Sequence, residues 1–133
     1  MAVSKLGIVV LDCPDPKALA DFYAELLDGE VRGDEDADWV DLFLPDESRL
    51  AFQRAPGLQP PQWPSAARGS QQLHLDLMVD DIEVAQEKAL ALGATALDLD
   101  NGGKRDFRVY ADPAGHPFCF VRVAPAETPT AVA

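Results

Sequence analysis

Apolar and polar positions along this chain follow the same order twice. An apolar run at Leu6–Leu11 gives way to Asp15-Pro16. Leu19, Phe22, Tyr23, Leu26 and Leu27 then fall at the spacing of one buried helical face. Asp15 suits the N-cap of that helix, Pro16 its first turn and Gly29 its stop. Strand-like runs follow, the last two joined through Pro45-Asp46-Glu47-Ser48. The second half repeats the order. Leu73–Val79 is followed by Asp80-Asp81, a stripe of Ile82, Ala85, Ala89 and Leu92, and Gly93 stopping the helix as Gly29 does. A hairpin through Asp112-Pro113-Ala114-Gly115 closes it. Repetition at this scale dictates architecture. The pattern predicts an α+β protein of two βαβββ modules in tandem, forming a curved mixed sheet around a cleft.

Module one is expected over 6–56 and module two over 72–124, together a single domain over 1–124. Residues 57–71 are rich in proline, glycine and serine and read as an extended linker. Trp63 breaks that composition; it is expected to pack onto the domain or to cover a pocket mouth. Residues 125–133 read as a disordered tail. Gly33–Asp38 reads as a solvated acidic hairpin tip, and its order of residues does not match a calcium-binding loop.

Strand alternation sorts the side chains. In the run before the second helix, Leu73, Leu75, Leu77 and Val79 share one face and belong under the helix. His74, Asp76 and Met78 then point to the cleft. If Asp112–Gly115 is a four-residue hairpin loop, Tyr110 pairs with Pro117 and Arg108 with Cys119. That register sends Arg108, Tyr110 and Cys119 to the cleft, and Phe107, Val109, Phe118 and Phe120 under the helix. Aligning the two halves on their caps and turns sets Ile8 opposite His74, Val10 opposite Asp76, Leu42 opposite Tyr110 and Ala51 opposite Cys119. The first-half wall is therefore Ile8, Val10, Val40, Leu42, Ala51 and Gln53. The same register puts Asp41 on a covered face; a shift of one residue would bring it out.

Charge narrows the classes of partner. At 133 residues with a net charge of −12, the chain would repel nucleic-acid phosphates and anionic membrane surfaces. No signal segment or spanning run is evident, and two cysteines make no disulfide framework, so a reducing cytoplasm is expected.

Two segments carry a family resemblance: His74-Leu-Asp-Leu-Met-Val-Asp-Asp81 and Asp112-Pro-Ala-Gly-His-Pro-Phe-Cys-Phe-Val-Arg122, with Phe22-Tyr23 in the first helix adding to it. They and the paired modules resemble the vicinal oxygen chelate superfamily of glyoxalases, bleomycin-resistance proteins and extradiol dioxygenases. The likeness is to its small glyoxalase-like members. The resemblance implies the glyoxalase-like fold, a homodimer and, in the enzymes, a divalent metal held at positions corresponding here to Ile8, Ala51, His74 and Cys119. Only His74 of these is a usual ligand, and Ile8 and Ala51 have no donor atom. The expectation is no cofactor. The alternative is one divalent metal ion at His74, with Asp76, Gln53 or Cys119 contributing in a geometry unlike the family's.

His74 reads as a cleft histidine with a pKa range suited to proton transfer. Arg108 reads as an anion anchor or as the ion-pair partner of Asp76. Cys119 reads as a small core residue, with Arg108 across from it the one hint of thiolate character. No serine elbow, phosphate-cradling loop or CxxC pair is present. The expected function is binding of a small, partly apolar organic molecule, as in the sequestering, antibiotic-resistance members of the superfamily. Its rivals are a metal-dependent lyase, isomerase or dioxygenase, and a structural module with a filled cleft.

Overall fold

The computed structural model describes residues 2–63, 71–100, 103 and 105–123. The chain divides into two compact units, 1–59 and 60–133, with the boundary inside the expected linker. Linker residues 64–70 and the expected tail 125–133 lie outside the described residues.

Unit one runs β1 (Val9–Cys13), α1 (Pro16–Leu27), β2 (Glu30–Arg32), β3 (Trp39–Phe43) and β4 (Arg49–Arg54). Unit two runs β5 (Leu75–Val79), α2 (Ile82–Ala91), β6 (Thr95–Asp98), β7 (Phe107–Ala111) and β8 (Pro117–Arg122). Each forms one four-stranded sheet, in the orders β1-β4-β3-β2 and β5-β8-β7-β6. The first and last strands of each unit pair in parallel and the remaining ladders are antiparallel. The two βαβββ modules read from the hydrophobic pattern are present.

Both helices start as their caps require. Asp15 Oδ1 accepts from the Ala18 amide at 3.2 Å, and Asp81 Oδ1 from Glu83 and Val84 at 3.0 and 3.2 Å. Their ends differ by one residue. The amide of Gly29 returns to the Ala24 carbonyl, and that of Ala94 to the Ala89 carbonyl, the closure of a Schellman turn. The left-handed residue is Asp28 (φ 59°) in the first and Gly93 (φ 111°) in the second. Gly29 is needed for space, because a Cβ there would meet Leu42 Cδ1 at 2.6 Å. The two glycines therefore stop their helices by different means.

In unit one, Leu19, Phe22 and Tyr23 of α1 pack on the sheet face carrying Leu11, Val40, Leu42, Leu50 and Phe52, all buried. Tyr23 stacks on Phe52 at 6.0 Å. In unit two, Ile82 and Ala89 of α2 are buried, as are Phe118 and Phe120 of β8. Leu75, Leu77 and Val79 are half-buried on the same sheet face. The expected apolar run shortens at its start in both halves. Leu6 is 83% exposed ahead of β1, and Leu73 is 53% exposed ahead of β5 rather than in the core.

The closing hairpin corrects the expected register. Asp112 donates its amide to the His116 carbonyl at 2.9 Å, so these two residues close a three-residue loop, Pro113–Gly115, with Gly115 at φ 96°. Asp112 Oδ1 accepts from the Ala114 and His116 amides and fixes the turn. An odd loop shifts the pairing by one residue: Tyr110 lies opposite Phe118, Arg108 opposite Phe120 and Val109 opposite Cys119. Because side chains alternate, that single step exchanges the two faces of β7. Arg108 and Tyr110 lie on the helix face, and Phe107 and Val109 share the open face with Cys119. The first hairpin repeats the geometry, with Leu44 and Ser48 closing the loop and Glu47 (φ 74°) where Gly115 stands. Asp41 accordingly pairs with Ala51 and leaves the covered face, while Val40 and Leu42 enter it.

Candidate functional site

The open faces of the two sheets differ in chemistry, and each is described within its own unit. In unit one, Val10, Ala51 and Asp41 are neighbours across β1, β4 and β3. Trp39 donates its indole N–H to Asp41 Oδ1 at 3.1 Å, and Gln53 donates to Asp12 at 3.3 Å. Ile8 immediately precedes β1. Of the expected wall, Val10, Ala51 and Gln53 lie on this face; Val40 and Leu42 are buried under α1. Trp39 and Asp41 take the places assigned to them. The acidic segment 33–38 is largely exposed, and Arg54 ties its end down through Asp38 Oδ1 at 2.8 Å and the Ala37 carbonyl at 3.1 Å.

In unit two, the open face carries a cavity of about 360 Å³. Three of its walls come from the strands. Asp76 of β5 is the register partner of Cys119 of β8, and Phe107 and Val121 face each other across β7 and β8. His74, just ahead of β5, sets Nε2 3.2 Å from Asp76 Oδ1. Trp63 completes the rim, its ring edge-on to the His74 imidazole with centroids 6.0 Å apart. Trp63 both packs on its own unit, through the His74 ring, and lines the cavity.

The remaining lining residue is Arg105, which sequence reasoning missed. Its guanidinium lies over the Phe107 ring at 4.5 Å and donates to Asp98 Oδ1 at 2.7 Å. Its Nε is buried without a hydrogen bond, 3.4 Å from Asp100 Oδ1. The hydrogen bond and charge of Asp98 raise the Arg105 pKa, so the group is a permanent cation whose charge is largely spent on its neighbours. Arg105 sits in an irregular stretch with no alternation to place it. The available signal was two acids, Asp98 and Asp100, a few residues ahead of one arginine.

Arg108 and Tyr110 do not reach this cavity. Arg108 donates to Glu83 Oε2 at 2.7 Å and to Gln86 Oε1 at 2.9 Å, both on α2. The Tyr110 hydroxyl donates to the same Gln86 oxygen at 2.6 Å. The partner of Arg108 is therefore Glu83, not Asp76, and both residues bind the helix to its sheet.

Cys119 is 3% exposed. Burial, and then the charge and hydrogen bonding of Asp76, push its thiol up to about 11. At neutral pH it is a protonated thiol and a poor nucleophile. Arg105 opposes the shift only weakly. The donor atoms of His74, Asp76 and Cys119 nevertheless lie within 4.8 Å of one another, the one such group among the described residues.

The four positions implied by resemblance cannot together hold a metal, because Ile8 and Ala51 present only carbon and Ala51 is wholly buried. Among the described residues, the donors that lie together are the nitrogen, oxygen and sulfur of His74, Asp76 and Cys119.

Residues 8–121 match the model of the glyoxalase-like domain. A comparison with curated proteins gives no match. Solved structures similar in fold include the fosfomycin resistance protein FosX of Listeria monocytogenes, at 13% identity and TM-score 0.68, over 93% of this chain and 94% of that one. An antibiotic-binding protein from a Streptomyces species is 17% identical, with TM-score 0.58, over 93% and 99%. A possible glyoxalase from Bacillus cereus is 11% identical, with TM-score 0.65, over 90% and 99%. At these identities the likeness is one of fold. No helix among the described residues is long and apolar enough to cross a membrane.

Proposed function

Because the chain belongs to the glyoxalase-like domain family of the vicinal oxygen chelate superfamily, whose fold serves many chemistries, its function rests on its own side chains, and we propose that it binds a small organic molecule in the cavity of unit two. One observation carries the reading: about 360 Å³ of space is bounded by Trp63, Phe107 and Val121 on one hand and by His74, Asp76 and Arg105 on the other. A site of this make-up favours a ligand with a flat apolar body and a hydrogen-bonding edge. It does not favour a strongly anionic one, since Asp98 and Asp100 already pair with Arg105 and Asp76 adds a further negative charge. An antibiotic-binding protein and a fosfomycin resistance protein among the structural neighbours support a binding role. An open cavity weighs against a module filled by its own side chains.

The test is a melting-shift screen of metabolites and antibiotics, run in chelator, followed by titration of each hit. Trp63→Ala is expected to weaken a hit by about 1–2 kcal/mol while leaving the unliganded melting temperature nearly unchanged. Hits whose affinity is indifferent to both Trp63→Ala and Phe107→Ala would move binding elsewhere. Homodimer assembly belongs to the same proposal and is checked by sedimentation.

A further inference from the structure

We infer that Arg32, Phe43 and Arg49 form a binding site for a small oxyanion on the open face of unit one. Both guanidinium groups lie over the same ring: Cζ of Arg32 stands 4.3 Å from the Phe43 centroid and Cζ of Arg49 stands 5.2 Å from it. Strand register builds the trio. Arg49 of β4 is the cross-strand partner of Phe43 on β3. Arg32 of β2 pairs with Asp41, two residues from Phe43 and on the same side of the sheet. A guanidinium over an aromatic ring keeps its N–H donors in its own plane, where an acceptor at the edge can reach them. Two such forks beside one ring match a phosphate or a paired carboxylate, groups that accept several charge-assisted hydrogen bonds at once.

These donors are not spent inside the protein. Arg49 is half-buried, and among the described residues its guanidinium has no hydrogen-bond acceptor or acidic partner. Arg32 meets Glu30 across 3.4 Å, with the two side chains 60% and 67% exposed, a contact worth little in water. The other nearby acids are turned elsewhere. Asp41 Oδ1 takes the Trp39 indole N–H, and Asp46 Oδ1 takes the Ser48 amide and hydroxyl. Such unspent arginines are unexpected in a chain with 23 acidic residues and 11 lysines and arginines. Nor does the fold need them. In unit two, Ala111 and Pro117 take the places of Phe43 and Arg49, pair in the same register, and the hairpin closes there without the trio. A net charge of −12 repels a polyanion, so the occupant is a small ion or molecule. The site lies wholly in unit one and does not depend on the unit-two cavity, where Arg105 is already paired.

Isothermal titration of the full chain at low ionic strength, with inorganic phosphate in one arm and succinate in the other, tests the site. One anion per chain is expected, with affinity falling as sodium chloride is added. Arg32→Gln and Arg49→Gln should each weaken binding by about 10-fold or more, the loss of a charge-assisted pair. Arg49→Lys keeps the charge without the fork and should retain only part of the affinity. Glu30→Gln removes the internal competitor and should tighten binding by about 2–5-fold. Arg122→Gln, at an exposed arginine of unit two, should change nothing, which separates a site from bulk charge. Circular dichroism and melting confirm that each variant is folded, and Arg32→Gln, exposed on the edge strand β2, keeps the test open if Arg49→Gln is not. Binding of phosphate alone assigns a phosphate group, and binding of succinate alone assigns a paired carboxylate; either result, or both, sustains the site when it needs the two arginines. Four results overturn it: no binding of either anion, binding indifferent to Arg32→Gln and Arg49→Gln, an equal loss with Arg122→Gln, or binding abolished by Arg105→Gln instead. A metabolite screen that finds no ligand for unit two leaves this site standing.

Discussion

The two units share strand order, the register of their inner ladders and hairpin geometry, yet they spend their faces differently. Under α1, unit one is built from apolar contact: Leu19, Phe22 and Tyr23 meet Leu42 and Phe52. Under α2, unit two sets Arg108 and Tyr110 against Gln86 and Glu83, and only Ile82 and Ala89 of that helix are buried. On the open faces the contrast reverses. Val10 and Ala51 in unit one correspond to Asp76 and Cys119 in unit two, which hold the donor groups. One strand order thus carries an apolar core under one helix and a polar seam under the other.

That contrast can be broken or sharpened by substitution. The largest effect is expected at Phe52, wholly buried and stacked on Tyr23: Phe52→Ala should cost about 3–5 kcal/mol in denaturant melts. A loss below about 1 kcal/mol would show that unit one is not the apolar anchor. Next comes the strand that carries the site. Leu75 is half-buried, so Leu75→Ala should cost roughly 1–3 kcal/mol, and exposed His74→Ala within about 0.5. The opposite order would turn β5 inside out.

The polar seam under α2 should respond to chemistry rather than volume. Tyr110→Phe removes one hydrogen bond to Gln86 and should cost about 1 kcal/mol, with ligand affinity unchanged. Arg108→Ala should lower the melting temperature by a few degrees and leave the cavity's affinity intact. The hydrogen bond and charge of Arg108 hold the Glu83 carboxyl below its ordinary value of 4.5. Their contribution is therefore complete above about pH 4.5 and fades as pH falls through the lowered folded value. Arg108→Ala should remove that part of the acid sensitivity, as wild-type and variant melts across pH 2–6 would reveal; parallel curves would mean that the pair contributes nothing. The smallest effect is at the first hairpin. Glu47 holds a left-handed conformation that Gly115 holds in the second, so Glu47→Gly should gain about 0.5–1 kcal/mol. A loss there would mean that the Glu47 side chain, not its backbone, matters.

Much of this was legible from the chain. The repeat, both N-caps, the helical faces and the alternation of β5 follow from spacing, and they suffice for the fold and for placing His74 and Asp76. Cys119 was assigned to the open face even though its partner on β7 was not. The error at Arg108 and Tyr110 has one cause: loop length decides strand parity, and four turn-forming residues in a row do not say how many of them pair. Asp41 held the correction, since a carboxylate on a covered face signals a register off by one. Arg105 lay beyond reach for another reason. A side chain in irregular backbone has no period, and only tertiary contact shows where it goes.

The parallel seam between the first and last strands of unit two has a kinetic consequence. Asp76 and Cys119 are 43 positions apart, and nothing joins them until β8 has travelled past α2, β6 and β7 to lie beside β5. Long-range parallel pairing is slow to form and comes with a loop-closure cost that local contacts do not carry. The pocket therefore does not exist in any chain whose β8 has not docked beside β5. Occupancy would hold the seam shut, slowing the opening of β8 more than it speeds folding.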